Sequence, residues 1–312
     1  MKTLLFGKDG QLGQEFIPLL STCSELLAVG RAECDLALGE QIQALIQKFK
    51  PDLIINASAY TAVDQAEKDE EQARLINSLA PTVIAQEAQR LGAVMVHYST
   101  DYVFDLLKET PYLETDECHP LSVYGSTKYL GEQGVKNNCH NHLIFRTSWV
   151  FSAHGSNFLN TILKLATSKD TLSVIDDQWG APTNTALIVK STMTALQRND
   201  VIKGALFDSG ALEPTYPQWG LFNLVATGET NWHAYAQYLV QRAKDLGVGN
   251  NFVLTASKIK AIPSREYPQL AQRPSNSRLS LHKIKETFKL QIPDWRDCVD
   301  KELEKIKQLE AI

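Results

Sequence analysis

The chain has 312 residues, 44% hydrophobic and 21% charged, with 31 basic against 36 acidic side chains and a formal net charge of −5. This balance excludes collagen-like, disordered and disulfide-scaffold classes, and at roughly 150 residues per domain it predicts one large or two modest domains with a sizeable core. No Lys/Arg block provides a footprint for nucleic acid, although an anionic small molecule needs only a local positive site.

In chain order, Thr3–Phe6 reads as a strand, followed by a Gly-rich turn and a helix to about Leu20. Leu26–Val29 is a second strand, Glu40–Phe49 a helix stopped by Pro51, and Leu53–Ile55 a third strand. Ala66–Leu91 is helical, with Pro81 allowed only at a kink or at the start of a second helix. Val94–Tyr98 is a fourth strand, Val123–Val135 a helix and His142–Arg146 a fifth strand. Near-continuous apolar strands alternating with helices predict an α/β fold with a parallel, doubly wound sheet.

After about residue 150 the pattern becomes irregular. Asn157–Thr167, Ala186–Gln197, His233–Leu246 and Trp295–Leu309 read as helices, and Leu172–Val174 as a strand. Phe207–Trp219 reads as a loop, and Ile262–Ser280 carries three prolines and little periodicity. The expected division is a nucleotide-binding domain over residues 1–150, with returning segments from about 175–230, and a smaller, loop-rich α/β substrate domain over 151–312.

No apolar stretch approaches the about 18 residues that a membrane span needs, and Met1–Phe6 lacks the core and cleavage site of a secretory signal. The cysteines (Cys23, Cys34, Cys118, Cys139, Cys298) are scattered with no C-x-x-C pair, which predicts reduced thiols, a cytoplasmic protein and no zinc site.

Four constellations point to chemistry. Gly7-Lys8-Asp9-Gly10-Gln11-Leu12-Gly13 lies between the first strand and first helix, where glycines let the backbone approach a pyrophosphate and the helix N-terminus takes its charge. After the second strand stands Val29-Gly30-Arg31, with an arginine and no acid; a guanidinium suits a ribose 2′-phosphate and favours NADP over NAD. Tyr124 and Lys128, at i and i+4, share one helix face, where an ammonium lowers a phenol from about 10 and suits it to proton donation. Tyr98-Ser99-Thr100-Asp101-Tyr102-Val103-Phe104 lies just beyond the carboxyl end of the fourth strand, the ligand edge of an open α/β sheet.

Together these elements resemble the extended short-chain dehydrogenase/reductase superfamily, and within it the dTDP-4-dehydrorhamnose reductase family. The resemblance rests on GKDGQLGQE (7–15), NASAYTAVDQAE (56–67), HYSTDYVFD (97–105), VYGSTKYLGE (123–132), FRTSWVF (145–151), DQWGAPTN (177–184) and RPSNSRL (273–279), in order over nearly the whole chain. It implies a Rossmann-like domain and reduction of the C4 ketone of a dTDP-4-keto sugar with hydride from NADPH or NADH. By that resemblance Tyr124 is the proton donor, Lys128 lowers its pKa and binds the nicotinamide ribose, and Thr100 completes a triad. Gly10, Gln11 and Leu12 would hold the pyrophosphate, and Asp35 and Leu36 the adenine. Ala59, Tyr60 and Thr61 would hold the middle of the cofactor, with Ser99 or Tyr98 lining the nicotinamide. Thr100, Asp101, Trp149, Asn157 and Arg273 would contact the nucleotide-sugar.

Some members bind Mg²⁺ at a homodimer interface through two glutamates. Here Glu15 stands at the first position and Ala186 at the second. A lone carboxylate is a poor Mg²⁺ site, so metal-linked dimerisation is not expected. A 4,6-dehydratase of the same superfamily needs a glutamate after the Thr-Asp pair, where this chain has Tyr102. A regulatory subunit resembling that of methionine adenosyltransferase is the non-enzymatic rival, and the intact Thr100, Asp101, Trp149 and Arg273 positions favour the reductase.

Overall fold

The computed structural model describes residues 1–105, 107–202, 217–267 and 269–310. The loop expected over Phe207–Trp219 therefore lies, through residue 216, outside the described residues. In chain order the first half comprises β1 (Lys2–Phe6), α1 (Gln11–Cys23), β2 (Glu25–Val29), α2 (Gly39–Phe49), β3 (Leu53–Asn56), α3 (Val63–Ala66) and α4 (Glu70–Arg74). A π-helical turn over Leu75–Leu79, α5 (Ala80–Leu91), β4 (Val94–Thr100), a 3-10 turn over Asp101–Val103, α6 (Val123–Asn138) and β5 (His142–Thr147) complete it. There follow β6 (Val150–Phe151), α7 (Phe158–Ala166), β7 (Leu172–Ile175), β8 (Trp179–Gly180), β9 (Thr183–Asn184) and α8 (Thr185–Arg198). The last elements are β10 (Gly220–Asn223), β11 (Thr230–Asn231), α9 (Trp232–Leu246), β12 (Ile259–Ile262), α10 (His282–Phe288) and α11 (Trp295–Glu310).

The main sheet is parallel, in the order β10-β5-β4-β3-β1-β2. The chain leaves β1 toward β2 and returns on the other side as β3, so the crevice at the carboxyl ends of β1 and β3 is a topological switch point, where such sheets bind ligands. Alternation along the strands sends Leu4, Phe6, Ile54, Met95 and Ile144 to one core. Leu5, Leu53, Ile55, Val96 and Phe145 face the other. Each fully buried Leu, Ile or Phe contributes about 2 kcal/mol. The flanking helices match this two-sided burial: α1 buries Gly13, Phe16 and Leu20, and α2 buries Ile42 and Ile46, one turn apart.

The expected helix over Ala66–Leu91 is instead a relay of α3, α4, the π turn and α5. Pro81 sits in the first turn of α5, and just before it Ala80 N donates to Leu75 O, five residues back. The wider turn carries the helical path up to the residue that cannot donate. The sixth strand, β10, pairs with β5 and was not read in the sequence, because four residues beside a loop show no usable period. Beyond the sheet, β12 pairs with β7, β11 with β8 and β6 with β9, giving small two-stranded ribbons. No described helix is long and apolar enough to cross a membrane.

Candidate active site and cofactor cleft

The turn after β1 closes on itself: Gly10 N donates to Gly7 O at 3.1 Å and Gly7 N to Val29 O at 2.9 Å. Gly7 has φ 88°, and a Cβ there would stand 2.7 Å from Ser58 Oγ, while one on Gly13 would collide with the Gly7 carbonyl. Gly10 caps α1 without a side chain, so the first N–H groups of the helix are left for an anion. Beside the turn a cleft of about 340 Å³ is lined by Gly7, Arg31, Asp35, Leu36, Ala59, Tyr60 and Thr61 among others. Four separate segments thus meet around one groove. A cradle that any Cβ would fill, next to an uncapped helix start, fits a dinucleotide.

Asn77, buried in the π turn, fixes one wall of that groove. Its Oδ1 accepts from Tyr60 N at 2.8 Å, and its Nδ2 donates to Tyr60 O at 3.1 Å and to Thr127 Oγ1 on α6 at 3.3 Å. Arg31 is well exposed and pairs with Asp35 at 3.5 Å. An acid does stand at the end of β2, contrary to the reading of Val29-Gly30-Arg31 alone. The chain turns tightly there, with Cys34 N donating to Gly30 O at 3.1 Å, and this brings Glu33 back onto the strand end. Glu33 Oε2 accepts from Gly30 N at 2.8 Å and Oε1 from Lys8 Nζ at 2.5 Å.

α6 begins at Ser122, whose Oγ accepts from Gly125 N at 3.1 Å. The helix buries a polar face that includes Thr127, Lys128 and Glu132. Such a face serves poorly as plain core. Lys128 is 2% exposed and donates from Nζ to Tyr98 O at 2.5 Å. Burial pushes this ammonium down to about 8, with Glu132 pulling it back up. One turn earlier, burial pushes the Tyr124 phenol up to about 12, with Thr100 lowering it and Asp101 raising it. In this structure the groups acting on the phenol are therefore Thr100 and Asp101, and the Lys128 ammonium rests on the strand carbonyl. The resemblance assigns the tuning of this phenol to Lys128, which here does not act on it; a buried phenol held protonated is still suited to donate a proton to a developing alkoxide.

Thr100 Oγ1 donates to Asp101 Oδ1 at 3.1 Å and accepts from Tyr102 N at 3.2 Å. Asp101 is 2% exposed, and burial pushes it up to about 6 against the Ser277 and Thr100 hydroxyls. The Tyr102 ring meets the Tyr124 ring edge-on at 5.4 Å. Arg273 pairs with Asp64 Oδ2 at 2.6 Å and donates from Nε to Gln269 Oε1 at 3.1 Å, and its charge partly offsets the rise that burial imposes on the Tyr102 phenol. The segment that follows runs past β8, with Trp179 N donating to Ser275 O at 2.9 Å and Ser277 N to Trp179 O at 2.7 Å. Trp149 has φ 50°, the left-handed region a non-glycine residue rarely adopts. Its ring stacks on Trp232 at 3.7 Å, and a Cβ on Gly180 would stand 2.8 Å from the same ring. Close packing of the ring accompanies a strained backbone, a feature that concentrates at functional sites.

The family model for the RmlD substrate binding domain matches residues 1–308. The chain belongs to this family. It is 42% identical over 299 residues to the dTDP-4-dehydrorhamnose reductase of Salmonella typhimurium, covering 95% of this chain and 94% of that one. Its fold matches the solved dTDP-4-dehydrorhamnose reductase of Clostridium acetobutylicum with a TM-score of 0.86 at 28% identity, covering 98% of this chain and 100% of that chain. The Bacillus anthracis dTDP-4-dehydrorhamnose reductase, solved in complex with NADP, gives a TM-score of 0.85 at 27% identity, covering 97% and 99%.

In this RmlD-family chain not every expected residue joins the group. Asn157 caps α7, accepting from Asn160 N at 3.0 Å, and its Nδ2 donates to Gln11 Oε1 at 2.8 Å. It thereby ties the start of α7 to the start of α1 and leaves Gln11 its backbone N–H for a ligand. Leu12 packs against the core, and Tyr98 is buried with its hydroxyl 2.8 Å from Thr192 Oγ1. Glu15 pairs with Lys305 at 2.9 Å on a separate cleft of about 550 Å³, which Ala186, Lys190 and His154 also line. Among the described residues no group of three or more His, Cys, Asp or Glu is placed to hold a metal. Asn77, Tyr102, Asp64, Glu33 and Ser277 went unread as site neighbours. Asp64, Tyr102 and Ser277 fall inside the quoted motifs, where polar residues beside the named ones were the available signal.

Proposed function

We propose that the chain is an NADPH-dependent reductase converting the C4 ketone of dTDP-4-dehydro-L-rhamnose to the alcohol of dTDP-L-rhamnose. The observation that carries this reading is the polar face of α6, which sets Tyr124 and Lys128 at the ligand edge of β4, next to a glycine-lined dinucleotide groove. Its full-length relatives named dTDP-4-dehydrorhamnose reductase support it. The nicotinamide, when bound, supplies the hydride. Tyr124 donates its proton to the C4 oxygen, and Thr100 steers that phenol. Lys128 holds the nicotinamide ribose, and its charge stabilises the phenolate left behind. Asp101 and Trp149 line the sugar, and the Arg273 fork suits the diphosphate once it exchanges Asp64 for phosphate oxygens.

Residues 1–150, with returning segments from about 175–230, form the cofactor half in this reading, and 151–312 mainly the sugar half. Arg31 and Lys8 offer cations for a 2′-phosphate, while Glu33 offers an acceptor for a free 2′-hydroxyl, so NADH is used as well. Five unpaired thiols suit a reducing compartment, and we place the protein in the cytoplasm.

The test is an assay of purified protein with the 4-keto sugar nucleotide, read as loss of reduced-nicotinamide absorbance. We expect NADPH to be consumed, and Tyr124→Phe to lower kcat by about a hundredfold or more. Absence of NADPH consumption with that substrate overturns the assignment.

A further inference from the structure

One turn beyond Lys128, on the same buried face of α6, lies Glu132, 0% exposed. Arg146 of β5, 3% exposed, grips it with both prongs: Nε donates to Oε1 at 2.8 Å and Nη2 to Oε2 at 2.7 Å. The guanidinium also lies 4.8 Å over the Phe104 ring and donates from Nη2 to Cys118 Sγ at 3.1 Å, while its Nη1 has no hydrogen-bond partner among the described residues. A buried ion pair of this kind is poor value for stability, since apolar residues of similar volume serve as well or better. Its location is more informative. It lies one helical turn from a buried ammonium whose hydrogen bond, among the described residues, goes to the neutral Tyr98 carbonyl.

The elements packed against α6 carry further titratable groups. On α6 itself stand Tyr124 and Glu132. From β4 comes His97, buried and held well below its ordinary range by burial and by Lys128, so it is neutral and supplies no counter-charge. The turn after β4 supplies Asp101, and the end of α3 supplies Glu67, whose Oε1 is taken by Val123 N at 2.8 Å. On α4, Glu71 pairs with Arg74, and on α5, Glu87 pairs with Arg90. The π turn Leu75–Leu79 carries no titratable residue. Glu132, buried four residues along the same helix face, is the carboxylate placed to favour the Lys128 charge.

We propose that the Glu132–Arg146 pair is a positioning element for the reaction, in which Glu132 keeps the Lys128 ammonium charged and Arg146 holds Glu132 on the Lys128 face of α6. This rests on the reductase reading, because it assigns the pair a task only if Lys128 serves the cofactor and Tyr124. Neither residue touches the reacting atoms. Their effect is read in the pH dependence rather than in a loss of all turnover.

The experiment compares pH profiles of kcat/KM for wild type, Glu132→Gln, Glu132→Asp and the double variant Glu132→Leu/Arg146→Met, with folding checked by circular dichroism. The wild-type profile falls on the alkaline side as Lys128 loses its proton. Removing the carboxylate makes that loss easier, so Glu132→Gln should move the alkaline limb to lower pH by about one unit. The double variant leaves no orphaned buried charge and should fold even where Glu132→Gln does not, with a displacement in the same direction but smaller, because the Arg146 cation is removed with the carboxylate. Glu132→Asp keeps the charge and should keep the wild-type limb. A folded Gln or double variant with the wild-type limb overturns the proposal, as does an Asp variant displaced as far as the Gln variant. NADPH binding, followed by cofactor fluorescence across the same pH range, should move in parallel. That readout separates the two claims: a wild type that binds NADPH but never reduces the keto sugar sinks the reductase reading, whereas unshifted NADPH binding in the variants sinks this one.

Discussion

Asp101 brings a carboxyl into a site that disfavours its charge. Its folded-state value of about 6 lies above the ordinary value near 3.9, so the folded protein holds this proton more tightly than the unfolded chain. The associated stability is complete below about pH 4 and is lost as pH rises through about 6, amounting to about 3 kcal/mol for a shift of about two units. Asp101→Asn should therefore stabilise the protein by about 2–3 kcal/mol at about pH 7.5 and by nothing near pH 4, measured by urea unfolding at the two values, while KM for the sugar nucleotide rises. Lys128 has the opposite sign. Its value, pushed down from 10.5 to about 8, means that the cost of burying the charge is complete below about pH 8 and is relieved as pH rises from there toward the ordinary lysine value. The protein carries both costs within one site, as expected where charge placement serves chemistry. Arg31 is a residue-scale test of cofactor choice: Arg31→Ala should weaken NADPH about tenfold, near 1.4 kcal/mol, and leave NADH unchanged, measured by KM for each.

Among the elements, the β1–turn–α1 unit was the most legible, because a strand, a glycine cluster and a helix follow one another without a gap. The structure adds the reason for the third glycine: Gly13 packs directly against the Gly7 carbonyl. Gly13→Ala should cost about 2 kcal/mol or more and abolish tight NADPH binding, which thermal unfolding and a cofactor-fluorescence titration would show. The helical relay before β4 was only half legible. Pro81 signals a break, but a π turn has no sequence period of its own, and the clamp that Asn77 makes on Tyr60 depends on that turn. α6 is instructive in the other direction. Its amphipathic pattern is weak because its buried side carries Thr127, Lys128 and Glu132, so periodicity undersells an element whose inward face is polar.

At the scale of the whole molecule, one apolar core runs from Leu5 and Phe16 under the sheet to Trp295, Cys298, Val299 and Leu303 of α11. Glu302 on that helix accepts from Ala153 N at 2.7 Å and from Asn184 Nδ2 at 3.0 Å, binding the C-terminus to two other segments. Unfolding should then be a single transition with coincident tryptophan-fluorescence and circular-dichroism curves, and a chain cut before Trp295 should lose NADPH binding. A truncated chain that still bound NADPH would contradict the shared core. Local order alone settled much of this protein: the alternation of apolar strands with helices, the glycine turn, and Tyr124 and Lys128 on one helix face all follow from spacings of a few residues. Other features join residues too far apart for any spacing to report. The place of β10 beside β5, the segment after Arg273 threading past Trp179, and the Trp149 ring packed against Trp232 and close to Gly180 are of this kind. Even Glu33, three residues from Gly30, reached its place only through the turn that brings it back. Periodicity encodes which face of an element is buried, whereas the partner that buries it is selected by packing in three dimensions, and the site is made of such partners.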